Sequence, residues 1–191
     1  MTTPDDSAEL FEQWLAEDRE RRLNRFYSRR PAAFTARGKL DARVHAWLEA
    51  LVGRQARTLL LGGPTGTGKS WSIWKSVETL LVNGWRGEWE VVSAYELSRI
   101  IAPPVDEEHL DRLAAVQLLA VDDIGSVKVT DWAAAHLLGL VDHRWSHHLP
   151  TIVTTNAPKL GELLGERIAS RLADGATVVT LDGPDRRRAA Q

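Results

Sequence analysis

Gly63-Pro64-Thr65-Gly66-Thr67-Gly68-Lys69-Ser70 is a complete G-x-x-x-x-G-K-S segment, and its reading decides the fold. It follows the apolar run TLLLGG (Thr58 to Gly63) and opens a helical pattern from about Lys69 to Val82. Each position has a task in holding phosphate. Glycines let the backbone close around an anion so that successive N–H groups point inward, and the following helix presents its positive N-terminal end to the same charge. Lys69 has the reach for β- and γ-phosphates, and the Ser70 hydroxyl is of the type that ligates magnesium. By average residue usage the four fixed positions arise by chance in roughly one chain of this length per hundred, so the context has to decide. An apolar strand before and a helix after are the context the motif requires, and an ordinary glycine-rich turn does not need them. The segment predicts a nucleotide phosphate site with magnesium beside it.

Outward from this loop the chain alternates. Apolar runs at about Glu88 to Ser93, VQLLAVDD ending at Asp123, Thr151 to Asn156 and Thr177 to Leu181 read as strands. Between them lie helical patterns at Tyr95 to Ile101, Glu107 to Leu113, Asp131 to Trp145 and about Lys159 to Ala173. Apolar strands alternating with helices predict a parallel sheet covered on both faces, an α/β fold. Upstream, Asp41 to Leu51 reads as an amphipathic helix, and Ser7 to Arg30 as another, ended by Pro31. The expected division is a helical extension over 1–30 and one nucleotide-binding domain over 31–191.

Composition narrows the function classes. The chain has 191 residues with 24 Lys+Arg against 26 Asp+Glu, a net charge of -2, and 43% hydrophobic residues. That excludes a globally basic nucleic-acid coat and an acidic disordered chain. With no Cys there is no disulfide framework, no Cys-ligated zinc and no thiol nucleophile. No apolar run approaches the roughly 20 residues that span a bilayer, and the acidic start MTTPDDSAELFEQW lacks a signal core. A soluble, cytoplasmic protein without a membrane partner is expected.

A phosphate loop needs an acidic partner, and Leu118-Leu119-Ala120-Val121-Asp122-Asp123 supplies one: an apolar strand ending in two carboxylates. Strand alternation predicts that they point to different sides, so that one can bind magnesium through water while the other faces the attacking nucleophile; the expected assignment is Asp122 to the metal and Asp123 to catalysis. Asn156, ending the next strand, has an amide suited to orienting water near the γ-phosphate. Arg167 and Arg171 share a helix face at i, i+4, as either a catalytic pair or an ordinary solvated one. Trp71 and Trp74 follow the loop and read as core or base-flanking packing. Trp85 and Trp89 read as half-buried strand aromatics or as stacking platforms for bases. His136, His143, His147 and His148 lack carboxylates at a zinc spacing and read as surface residues.

Taken together, GGPTGTGKS, LLAVDDIG, TIVTTNAP, LLGERIASRLADG and the closing DGPDRR resemble the AAA+ ATPases of the DnaC/IstB type. These are bacterial helicase loaders and transposition helpers, and the resemblance runs from about Arg37 to Arg188. It implies a five-stranded parallel sheet without a C-terminal helical lid, preceded by a short helical extension. It implies Asn156 as the sensor-1 residue, Arg171 as an arginine finger acting on a neighbouring subunit, and Arg187 as a C-terminal sensor arginine. Asp123 stands where many AAA+ enzymes carry the longer Glu, which implies slow, DNA-stimulated hydrolysis.

The function so implied is a replicative helicase loader that binds ATP–Mg2+, self-associates through the ATP site and grips single-stranded DNA. Its N-terminal helix, with the stripe Leu10, Phe11, Trp14 and Leu15, would hold the helicase, and the arginine-rich half from Arg19 to Arg30 would meet nucleic acid. The alternatives are an IstB-like transposition helper and a non-hydrolysing, ATP-gated DNA adaptor. A small-molecule kinase is disfavoured by the missing lid and acceptor pocket.

Overall fold

The computed structural model describes residues 4–157 and 159–185, so the expected C-terminal arginine, Arg187, lies outside the described residues. The elements run α1 (Pro4–Arg29), α2 (Ala42–Val52), β1 (Thr58–Gly62), α3 (Lys69–Val82), β2 (Trp89–Ser93), α4 (Ala94–Ile101) and α5 (Glu107–Ala115). They continue with β3 (Leu118–Asp122), α6 (Asp131–Ser146), β4 (Thr151–Thr154), α7 (Leu160–Leu164), α8 (Glu166–Ala173) and β5 (Thr177–Thr180). The five strands form one sheet in the order β2-β3-β4-β1-β5, every pair parallel. The α/β architecture expected from the alternating pattern is present.

Each central strand feeds two cores, because alternate side chains leave a strand on opposite faces. Leu59, Leu61, Leu118, Ala120 and Ile152 pack with Val44, Leu48, Ile73, Trp74 and Val77 of α2 and α3. Leu60, Leu119, Val121 and Val153 pack on the other face with Leu97, Leu113, Leu140 and Ile168 of α4, α5, α6 and α8. This is why the strands read as unbroken apolar runs. Among the described residues no helix is long and apolar enough to cross a membrane.

The helix expected across Lys159 to Ala173 is two helices. Gly165, at φ 82 and ψ 152, closes α7 and opens α8, a backbone region reserved in practice for glycine. Periodicity alone could not show the break, since the apolar positions on either side keep a helical spacing.

Helix α1 has two unlike halves. Phe26, fully buried, lies 6.1 Å from the Trp74 ring and 5.8 Å from the Trp89 ring, and these two indoles meet edge to face at 6.2 Å. Around it, Arg25 pairs with Glu88 at 3.1 Å, Arg30 with Glu78 at 3.0 Å, and Arg29 with Glu90. Asp18 receives Arg22 at 3.0 Å and Arg86 at 3.1 Å, and the Arg22 bond holds its carboxyl below the usual range. Partly exposed pairs are each worth about 0–1 kcal/mol, whereas burying a Phe is worth about 1.5–3 kcal/mol. The aromatic cluster therefore fixes the docking and the ion pairs set its register. The first half leaves Leu10, Phe11 and Trp14 exposed. The basic half read as meeting nucleic acid thus has most of its guanidinium groups committed to carboxylates of this same chain.

Candidate functional site

The phosphate loop joins the C-terminal end of β1 to α3, at the edge where ligands settle in open parallel sheets. Lys69 is mostly buried, and its Nζ donates to the Gly63 and Pro64 carbonyls at 2.7 and 2.8 Å. Thr67, buried as well, donates to the Pro64 carbonyl at 2.9 Å and so braces the loop from within. Pro64 and Thr65 stand exposed at its mouth. Gly68 takes the left-handed conformation as the N-cap of α3, which leaves the helix's first N–H groups clear of any capping side chain.

The acidic partners come from β3, the neighbour of β4, which in turn borders β1. The Ser70 hydroxyl donates to Asp122 Oδ1 at 3.0 Å. Thr154 Oγ1, at the end of β4, donates to the same oxygen at 2.6 Å and accepts the Asp123 backbone N–H at 2.7 Å. Asn156 Nδ2 donates to Asp123 Oδ1 at 2.9 Å. Ser70, Asp122, Thr154, Asp123 and Asn156 are thereby linked in one hydrogen-bonded chain. The two carboxylates have different partners, and strand alternation is not what separates them. Strand β3 ends at Asp122, and the Asp123 backbone leaves the strand conformation for the left-handed region, at φ 58. A non-glycine residue held there carries strain that its neighbours must offset. The two hydrogen bonds to Thr154 and Asn156 do so.

Gly66 shows what the loop accepts. Its φ is +84, and a Cβ built there would stand 2.0 Å from Asp185 Oδ1. A carboxylate oxygen therefore lies where a side chain at position 66 would stand, close against the loop. Ser70 and Asp122 offer the hard oxygen donors that magnesium prefers. The residues present fit a nucleotide phosphate and its metal.

Trp71 joins this end of the molecule to the segment ahead of α2. Its Nε1 donates to the Ala36 carbonyl at 2.8 Å, and its ring lies so close to Gly38 that a Cβ there would meet it at 2.9 Å. Trp74 and Trp89 are buried in the aromatic core and unavailable for stacking on bases. The described residues contain no group of three or more His, Asp or Glu able to hold a metal ion.

Arg171 stands apart from the loop. Its Nε donates to Asp142 of α6, its Nη1 to the Arg167 carbonyl at 3.1 Å, and its guanidinium lies 5.4 Å from the Trp145 ring centre. Arg167 is exposed. None of these partners belongs to the phosphate loop.

Two structural residues escaped the sequence reading. Thr154, which ties both acids together, was visible only as a Thr in TIVTTN. Arg144, 2% exposed, donates to the carbonyls of Leu113, Ala114, Val116 and Pro150 and to Thr151 Oγ1. Burial pulls its pKa down to about 9, which leaves it charged at neutral pH. It gathers the end of α5 and the start of β4 around one cation, and no local pattern announces it.

No family model matches the chain. It is 26% identical over 150 residues to the replicative helicase loader DnaI of Bacillus subtilis, covering 70% of this chain and 48% of that protein. The chain thus spans about half the length of the curated relative it matches. A crystal structure of DnaI superposes with a TM-score of 0.66 at 22% identity, over 83% of this chain and 95% of that one. The DnaC helicase loader gives 0.59 at 15% identity, over 83% and 99%. AMPPCP-bound DnaA from Aquifex aeolicus gives 0.62 at 18%, over 75% and 47%. In fold the chain is similar to these P-loop proteins, and in sequence to the helicase loader DnaI.

Proposed function

We propose that the chain is an ATP-binding AAA+ ATPase that acts as a replicative helicase loader. The observation that carries this reading is the hydrogen-bonded run from Ser70 to Asn156 beside a complete phosphate loop, in a chain similar to DnaI. The loop amides and Lys69 would bind the phosphates, with Lys69 exchanging its two carbonyl partners for phosphate oxygens. Ser70 and Asp122 would hold Mg2+, which supplies charge neutralisation at the phosphates. Asp123, fixed by Asn156, would polarise the attacking water, and the short reach of Asp makes the turnover slow. Arg171 would complete the site of a neighbouring subunit, since its surroundings lie on α6 and α8 and not at its own loop. Arg187 is proposed as a C-terminal sensor arginine.

The partners proposed are single-stranded DNA, further copies of the chain, and a replicative helicase held by the exposed half of α1. The domain boundary at residues 30 and 31 then separates two functions more than two folding units, because Phe26 belongs to the core of the larger part.

ATPase turnover with and without single-stranded DNA tests the enzyme reading. Asp123→Asn should retain ATP and lose turnover, and Asp122→Asn should lose magnesium-dependent binding. Equal loss of binding in both would refute this division of roles. Mixing Arg171→Ala with Lys69→Ala subunits should restore some activity, because interfaces form that pair an intact loop with an intact finger. No recovery at any ratio would remove Arg171 from the site. Co-purification with the helicase, lost on deleting residues 1–16, separates a loader from a transposition helper.

A further inference from the structure

We infer that Asp142 is the positioning residue for Arg171, aiming the guanidinium that the proposed function assigns to a neighbour's ATP site. The inference rests on that reading of Arg171 and adds the residue that makes it effective.

Arg171 leaves α8 and is held on two sides by α6. Asp142 and Trp145 are three residues apart on α6, so they lie on one face of that helix. Asp142 takes the guanidinium by its Nε edge, and the Trp145 ring lies against its face, 5.4 Å from the ring centre. The ring is itself pinned, its Nε1 donating to Asp174 Oδ2 at 2.7 Å. Nη1 donates to the Arg167 carbonyl at 3.1 Å, and Nη2 makes no hydrogen bond among the described residues. A carboxylate at the Nε edge fixes the plane of the group and leaves its far end directed away from the carboxylate.

This grip is not needed to join the two helices. Leu140, Val141, Ile168 and Leu172 bury their side chains in one apolar cluster, which already packs α6 against α8. The Asp142 side chain is 49% exposed and makes no other ion pair or hydrogen bond among the described residues, so its carboxylate serves Arg171. An arginine acting across an interface gains most from such a hold. A long, unheld side chain would have to be ordered at each encounter with the partner, and misplacement of a catalytic group costs rate steeply.

The test uses the full chain at a concentration where turnover per subunit no longer rises. Asp142→Ala should lower kcat about tenfold, with the KM for ATP and the thermal melting point close to wild type. Asp142→Asn, which still accepts from Nε, should recover part of the loss. Adding Asp142→Ala to Arg171→Ala should lower kcat no further, because a residue that acts only through Arg171 has nothing left to aim. If Arg171→Ala abolishes turnover while Asp142→Ala keeps wild-type kcat, Arg171 remains a finger and Asp142 does not position it. If the two losses multiply, Asp142 acts by another route and the inference is overturned. If neither variant changes turnover, the finger reading itself has failed and this inference goes with it.

Discussion

At the C-terminal ends of β3 and β4, four polar residues within 35 positions of one another hydrogen-bond directly, and Ser70 joins them from the phosphate loop. Along α1 the contacts are of another kind: Arg25 reaches Glu88 across 63 positions and Arg29 reaches Glu90 across 61. The first region is specified by short motifs at strand ends, where backbone register brings the side chains together almost automatically. The second depends on complementary charge and one buried aromatic cluster distributed over distant segments. The contrast teaches that a chemically exacting site can be spelled in short strings, while docking of an appended helix is spelled across the whole chain.

The sharpest way to break the comparison lies in α1. Phe26→Ala should cost about 3–5 kcal/mol of unfolding free energy, as expected for a fully buried aromatic. The same truncation at exposed Phe11 should stay within about 0.5 kcal/mol. Denaturant unfolding of both variants checks this, and similar losses would mean that the two halves of the helix do not differ as described.

Next in size is Lys69→Ala, expected to weaken ATP binding by about 100-fold, since it removes the charge proposed to meet phosphate in a mostly buried setting. Calorimetric titration with ATP–Mg2+ measures it. Unchanged affinity would detach the loop from the nucleotide.

Thr154→Val sharpens the account of the strand-end site. It takes one bond from Asp122 and leaves the Asp123 N–H without its partner, which should cost about 1–2 kcal/mol of stability and lower turnover about tenfold. A variant with wild-type turnover would show that Asp123 holds its left-handed geometry without help.

The smallest effect is expected at Asp41, the N-cap of α2. Its side chain accepts the Arg43 N–H, and Arg43's guanidinium holds its carboxyl down at about 2. Asp41→Ala should cost about 1 kcal/mol near neutral pH. A carboxyl with a depressed folded-state pKa stabilises above its ordinary value of 3.8 and loses that contribution as pH falls toward about 2. The gap between wild type and variant should therefore close over that window. A gap that persists at pH 2 would assign the effect to something other than the charge.

Much of the molecule could be read from the chain alone, and the exceptions have physical causes. The strands were plain because burial on both faces makes them apolar throughout, and the phosphate loop because its glycines, Lys69 and Ser70 are contiguous. The pair Asp122 and Asp123 stands out at the strand end, but alternation does not describe it, since a left-handed aspartate leaves no mark in the sequence. The break at Gly165 was missed because a single glycine within a helical spacing does not announce its own φ. Arg144 was invisible for a stronger reason. Its partners are backbone carbonyls, and any residue type supplies those.

The carboxylate of Asp185 against Gly66 has a consequence for affinity. Phosphates entering the loop would meet this side chain, a charge of the same sign, so the two would exclude one another. The measured dissociation constant is then the intrinsic one divided by the fraction of molecules in which the C-terminal turn has lifted from the loop. Whatever draws that turn away, including a neighbouring subunit, would tighten ATP binding without touching a single residue of the phosphate loop.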